Sequence, residues 1–237
     1  QDAEGGVFND GVTIKNNTIY DNWGEGISAF DSKNVKILNN KVYNNYSVNI
    51  YLDRTENATV VGNHVYQEPN TRVKTCNGNS RQTRSILIAN EDWTTTTLAN
   101  NILIANNVLQ GGHSGIGYWQ DTSYNQGSFE RNTYSNIVIA HNVIFNPERY
   151  GIDFDSVSSP YNAPSNVHLL NNIIDGGSDG SLKIGSGNFG AWTISNNHWV
   201  DAVPTGSQPS LANNTTGNPQ YLGPNLGIGS NPENFKI

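Results

Sequence analysis

The stretch NVKILNNKVYNN, residues 34–45, decides the fold. Apolar residues alternate with polar ones up to an Asn-Asn pair, and a second apolar pair follows. The same phrase reads GVTIKNNTIYDN from Gly11, NATVVGNHVYQ from Asn57 and NILIANNVLQGG from Asn101. It returns as NIVIAHNVIFN from Asn136, NVHLLNNIIDGG from Asn166 and AWTISNNHWV from Ala191. The second Asn of the pair falls at Asn17, Asn40, Asn63, Asn107, Asn142, Asn172 and Asn197, at intervals of 23, 23, 44, 35, 30 and 25 residues. A period in the low twenties with longer intervals is a repeat carrying insertions.

Between copies lies a shorter alternating run: GISAFDS, VNIYLDR, SILIANE, GIGYWQD, GIDFDS and SLKIGS. Each coil therefore carries at least two strands. Successive strand side chains point to opposite faces, so a coiled chain puts one set inside a tube and the other in water. In the phrase at 34–45, Val35 and Ile37 point in while Lys36 and Leu38 point out. An Asn at a fixed place in every coil stacks on its equivalents about 4.8 Å above and below. The 38 Asn and 24 Gly, with no Met, suit many tight turns rather than helices. No segment sustains a 3.6-residue apolar period.

These phrases and their spacing resemble the right-handed parallel β-helix proteins, a superfamily that includes pectate lyases, alginate lyases, mannuronan epimerases and polygalacturonases. The resemblance spans roughly residues 5 to 200. It implies an all-β parallel β-helix of about seven coils over residues 1–200, with 201–237 as an irregular closing segment of the same domain. Family members usually begin with a capping helix, whereas this chain enters a coil at once with EGGVFND. An uncovered coil end exposes a sheet edge, so a missing portion or another partner is expected to cover it. The resemblance implies a secreted or cell-surface protein acting on a polysaccharide, by lyase-like elimination first and hydrolysis second. A superfold that hosts unrelated chemistries leaves a second function open. That second reading is a non-catalytic structural or adhesive module whose open ends stack head to tail.

Composition narrows the partners. A net charge of -7 and 14% charged residues argue against nucleic acid, which calls for a basic face. There is no apolar run long enough to insert into a membrane. The single cysteine, Cys76, cannot close an internal disulfide.

The insertions 67–84, 91–100, 120–135 and 156–165 flank the shorter strands and mark their outer surface as the binding face. Aligned on Ile27, Ile50, Ile86, Ile116, Ile152 and Leu182, these strands present two outward columns. One holds Ser28, Tyr51, Leu87, Gly117, Asp153 and Lys183; the other holds Phe30, Asp53, Ala89, Trp119, Asp155 and Gly185. Asp153 and Asp155 share a face, a spacing that suits calcium or an acid and base pair. Lys183 is the candidate base for abstracting a uronate proton, if a calcium ion neutralises the two carboxylates. The plainer alternative is a solvated Asp-Lys salt bridge. Trp119, Tyr51 and Trp93 are candidate sugar platforms, with Asp53, Arg149 and Tyr150 as further contacts, while Tyr118 reads as inward. Asp31, Glu91 or Asp92, and Asp121 read as turn residues. Arg72, Lys74, Arg81 and Arg84 form a basic insertion. Phe154 stands where a mannuronan epimerase would need histidine. His64, His141 and His198 belong to the repeat, and His113 and His168 have no recognisable partner.

Overall fold

A computed structural model describes residues 9–69, 83–91, 99–120, 133–154, 163–185, 188–204, 211–223 and 226–235. Among these, the chain winds through three parallel sheets of ten, eight and six strands. Among the described residues, the coils from Ile27 to Ile184 each contribute strands to all three sheets, one more than the minimum in the sequence reading. The repeat phrase itself supplies two of them, Lys36–Leu38 and Lys41–Tyr43 in the second coil. The corner between them is made by the Asn-Asn pair, whose first residue takes left-handed backbone: φ is 58° at Asn16, 54° at Asn39 and 54° at Asn106. Asn enters this region at low cost, and Gly62 and His141 occupy the same place in two other coils.

The second Asn points inward and builds a ladder. Asn40 Oδ1 accepts from the backbone N–H and the amide of Asn17, and Asn63 Oδ1 does the same for Asn40. The chain of bonds continues through Asn107, Asn142, Asn172 and Asn197. It reaches one rung further than seven, because Asn197 N–H donates to Asn214 Oδ1. The segment 201–237 is thus not irregular throughout: Leu211–Ala212 and Thr215–Thr216 pair with the preceding coil. The pair Asn213-Asn214 was the available signal.

A second column, on the surface, kinks the first strand of the phrase. Asn34, Asn57, Asn101, Asn136 and Asn166 all have positive φ, and the amide of Asn57 donates to Asn34 Oδ1, as that of Asn101 does to Asn57.

The tube is filled by Ile37, Val60, Ile104 and Ile139 from the ten-stranded sheet, Val42, Val65 and Leu109 from the eight-stranded sheet, and Ile50, Ile86 and Ile116 from the six-stranded sheet. Lys36 is exposed while Val35 and Ile37 are buried, as the alternation requires. Later coils fill the same space with rings, Tyr118 lying 4.4 Å from Tyr134 and Phe154 4.9 Å from Trp192. Beyond the last rung the chain runs back over the eight-stranded sheet. There Phe235 packs on Phe145, and Gln110 donates to Ser230 O and accepts from Gly229 N–H.

Candidate functional site

The six-stranded sheet comprises Ile27–Phe30, Val48–Asp53, Arg84–Asn90, Ser114–Gln120, Tyr150–Phe154 and Gly180–Ile184. Its register aligns Ile27, Ile50, Ile86, Ile116, Ile152 and Leu182, which fixes both outward columns: Tyr51 beside Leu87, Leu87 beside Gly117, Gly117 beside Asp153 and Asp153 beside Lys183. In the other column Asp53 lies beside Ala89 and Ala89 beside Trp119. Asp155 lies outside the described residues, as do Trp93, Asp92, Asp121, Arg72, Lys74 and Arg81.

The outer face is not the solvated surface that alternation alone implies. Val48, Tyr51, Leu87 and Ala89 form a second buried apolar cluster there. Tyr51 and Asp53 are therefore enclosed, and neither presents its side chain to a ligand in this conformation. Tyr51 donates its hydroxyl to the Glu91 carboxylate, and Glu91 N–H donates to Asp53 Oδ1 at 2.8 Å. Burial pushes the Asp53 carboxyl up to about 7. Asp31, at positive φ, accepts from Arg54 at 2.7 Å.

Two rungs further along, the face changes character. Gly117 leaves a gap between Leu87 and Asp153, and Arg84 lies across it. A methyl group at 117 would stand 3.2 Å from Arg84 Cδ and 3.1 Å from Asp153 O. Arg84 thereby brings Nη2 to 3.6 Å from Asp153 Oδ2, while Lys183 Nζ stands 3.5 Å from Asp153 Oδ1. Asp153 is only 4% exposed, a buried carboxylate between two cations, of which Lys183 is 40% exposed. Lys183 also sits 5.6 Å above the Tyr150 ring, with Arg149 at 5.5 Å from the same ring and ion-paired to Asp179. Trp119 is exposed in the neighbouring column.

His113, unassigned by the sequence reading, completes the group. It lies at the corner leading into this sheet, its N–H on Thr83 O at 2.7 Å and its carbonyl accepting from Arg149 N–H at 3.0 Å. Burial, and then the charge of Arg84, holds its imidazole below the usual histidine range, so it is neutral at pH 7. Neither ring nitrogen has a hydrogen-bond partner among the described residues, and the same holds for Arg84 Nε and Ser114 Oγ. Buried polar groups are normally paired, so a corner that gathers unmet polar atoms is unusual. No sequence pattern flags His113, because its partners come from two other coils. Arg84 was legible as a cation but not as a strand residue.

The described donors alone do not complete a calcium site. Calcium takes six to eight oxygens, and the one described carboxylate already faces two cations. No group of three or more candidate metal ligands occurs among the described residues. Nor is any described helix long and apolar enough to cross a membrane.

A model of the right-handed beta helix region matches residues 4–133, more than half of the chain. The chain belongs to the right-handed beta helix family. Two solved structures are similar to this β-helix. One is the Agl-KA catalytic domain, 12% identical with a TM-score of 0.39, covering 90% of this chain and 45% of that one. The other is PfbA, a surface adhesin of Streptococcus pneumoniae, 15% identical with a TM-score of 0.40, covering 88% of this chain and 61% of that one. The β-helix thus spans less than two thirds of either, and neither likeness bears on what it does. No curated protein matches the chain.

Proposed function

We propose that this is a secreted or cell-surface β-helix that binds a carboxylate-bearing polysaccharide on the outer face of the six-stranded sheet and cleaves it. The observation that carries the reading is the pair of partly exposed cations, Arg84 and Lys183, that meets at Asp153 with the exposed Trp119 in the neighbouring column. A uronate carboxylate suits the Arg84 fork at the mouth of this group. Trp119 offers an apolar face for a sugar ring.

β-Elimination is the reaction to test first. Neutralising the uronate carboxylate with Arg84 acidifies the C5 proton. A base removes that proton, its electron pair becomes the C4–C5 double bond, and the C4–O bond breaks with the leaving oxygen taking up a proton. Lys183, the more exposed of the two cations beside Asp153, is assigned as that base. It serves as a base in its deprotonated form. Hydrolysis, with Asp153 and Asp155 as acid and base, is the second reaction. A panel of uronate polymers, read for unsaturated product and for new reducing ends, separates the two. Lys183→Ala should abolish elimination while leaving the circular dichroism unchanged. Product formation at the parent rate in that variant refutes the assignment.

A non-catalytic module that stacks head to tail has its own support. The first described rung exposes Val12, Tyr20 and Trp23. The Asn ladder is also polar: each Asn accepts from the rung before it, which gives the two ends complementary donors and acceptors. Sedimentation that depends on protein concentration, without binding to any polymer, would favour it.

A further inference from the structure

The corner that carries His113 is one rung of a column that runs along the whole edge between the eight- and six-stranded sheets. Tyr46 N–H donates to Asn22 O and Ser47 N–H to Gly24 O, which sets Trp23 beside Tyr46. Thr83 Oγ1 donates to Tyr46 O at 3.0 Å, His113 N–H to Thr83 O, Arg149 N–H to His113 O, and Asp179 N–H to Arg149 O. Each step is one strand spacing, so Trp23 stands about 10 Å from the rung of Thr83 and Arg84 and about 19 Å from that of Arg149. The far half of this edge is ionic. The near half is aromatic, with Trp23 57% exposed and its ring 5.9 Å from that of Tyr46.

A tryptophan this exposed, in line with a charged site, has the chemistry of a sugar platform: a flat apolar ring for the C–H face of a pyranose. A rung and a sugar residue have similar lengths, so an extended polymer parallel to the tube axis keeps step with the column.

We infer that Trp23, with Tyr46, forms a distal subsite for the same polymer, so that an acidic polysaccharide lies along this edge with its uronate at Arg84 and a sugar at least two residues away stacked on Trp23. This rests on the acidic-polysaccharide reading of the Arg84 corner. The distal subsite adds affinity only for ligands long enough to span the distance. Loss of one aromatic contact is worth about three- to tenfold in affinity.

Calorimetric titration of the folded chain with size-graded oligouronates tests it, using the parent, Trp23→Ala, Trp23→Phe and Arg84→Ala. Long oligomers should bind Trp23→Ala about three- to tenfold more weakly, with Trp23→Phe close to the parent and disaccharide affinity unchanged. Arg84→Ala should lose both. If Trp23→Ala binds every length like the parent while Arg84→Ala does not, the distal subsite is wrong and the Arg84 site stands. If no oligouronate binds the parent, the Arg84 reading fails and the distal subsite falls with it. If Trp23→Ala changes the sedimentation coefficient instead of the affinity, Trp23 is a contact between copies and the inference is overturned.

Discussion

Replacing Asn107 by alanine should weaken the fold far more than an Asn-to-Ala change in a β-solenoid turn would ordinarily suggest. Asn107 is buried in the middle of the ladder. Its Oδ1 accepts from Asn63 N–H at 2.8 Å and from the Asn63 amide at 2.9 Å, and its own amide donates to Val60 O and to Asn142 Oδ1. The variant keeps the bond from its backbone N–H to Asn142. It strands two donors of Asn63, itself buried, where water cannot replace the partner. Two unsatisfied buried donors at about 1–3 kcal/mol each give about 2–6 kcal/mol, a large part of the 5–15 kcal/mol typical of a domain. Asn17→Ala is the control. Asn17 is exposed at the ladder end, and Asn40 Oδ1 retains the Asn17 backbone donor, so the cost should stay below about 0.5 kcal/mol. Urea unfolding followed by tryptophan fluorescence and far-ultraviolet circular dichroism gives both values. Coincidence of the two probes checks that the repeat array unfolds as one unit. Losses within about 1 kcal/mol of each other would refute the ladder as a principal source of cohesion.

The remaining predictions concern the site. Gly117→Ala should push Arg84 off Asp153, since a methyl group there crowds Arg84 Cδ, Asp153 O and Leu87 Cδ1; affinity for acidic oligomers should fall several-fold with the melting temperature nearly unchanged, as read by calorimetric titration. Asp53 is raised to about 7 in the fold from 3.8, so its contribution to stability is fully present below about pH 4 and is lost as pH rises through about 7. Asp53→Asn should therefore gain on the parent with rising pH, by at most about 1.4 kcal/mol per pH unit, in urea titrations between pH 4 and 8. His113, lowered in the fold, works the other way: its contribution is present above about 6.5 and lost as pH falls, and it is the same in both proteins. A calcium ion at Asp153 would have to displace Arg84, so calcium should raise the melting temperature of Arg84→Ala more than that of the parent; an equal or smaller rise would refute calcium binding at Asp153.

The sequence by itself determined the solenoid, the buried Asn column and the register of the six-stranded sheet. Each is local or periodic: alternation sets which side chains enter the tube, and an Asn at a left-handed corner recurs in one phrase. It also placed Asp153 beside Lys183, since a fixed inward aliphatic in each coil fixes its outward neighbours. What it could not determine is which outward positions are exposed. Tyr51 and Asp53 sit in outward columns, yet they are buried, because exposure depends on what packs over a face and not on parity. Nor could it find the Arg84, His113 and Asp153 group. His113 stands at a corner without a motif, and Arg84 reaches Asp153 only by crossing the gap at Gly117, in the coil between them. Those contacts join residues 69 apart in the chain and about two rungs apart in space. Stacking coils turns distant sequence into neighbours, and only the tertiary structure says which ones meet.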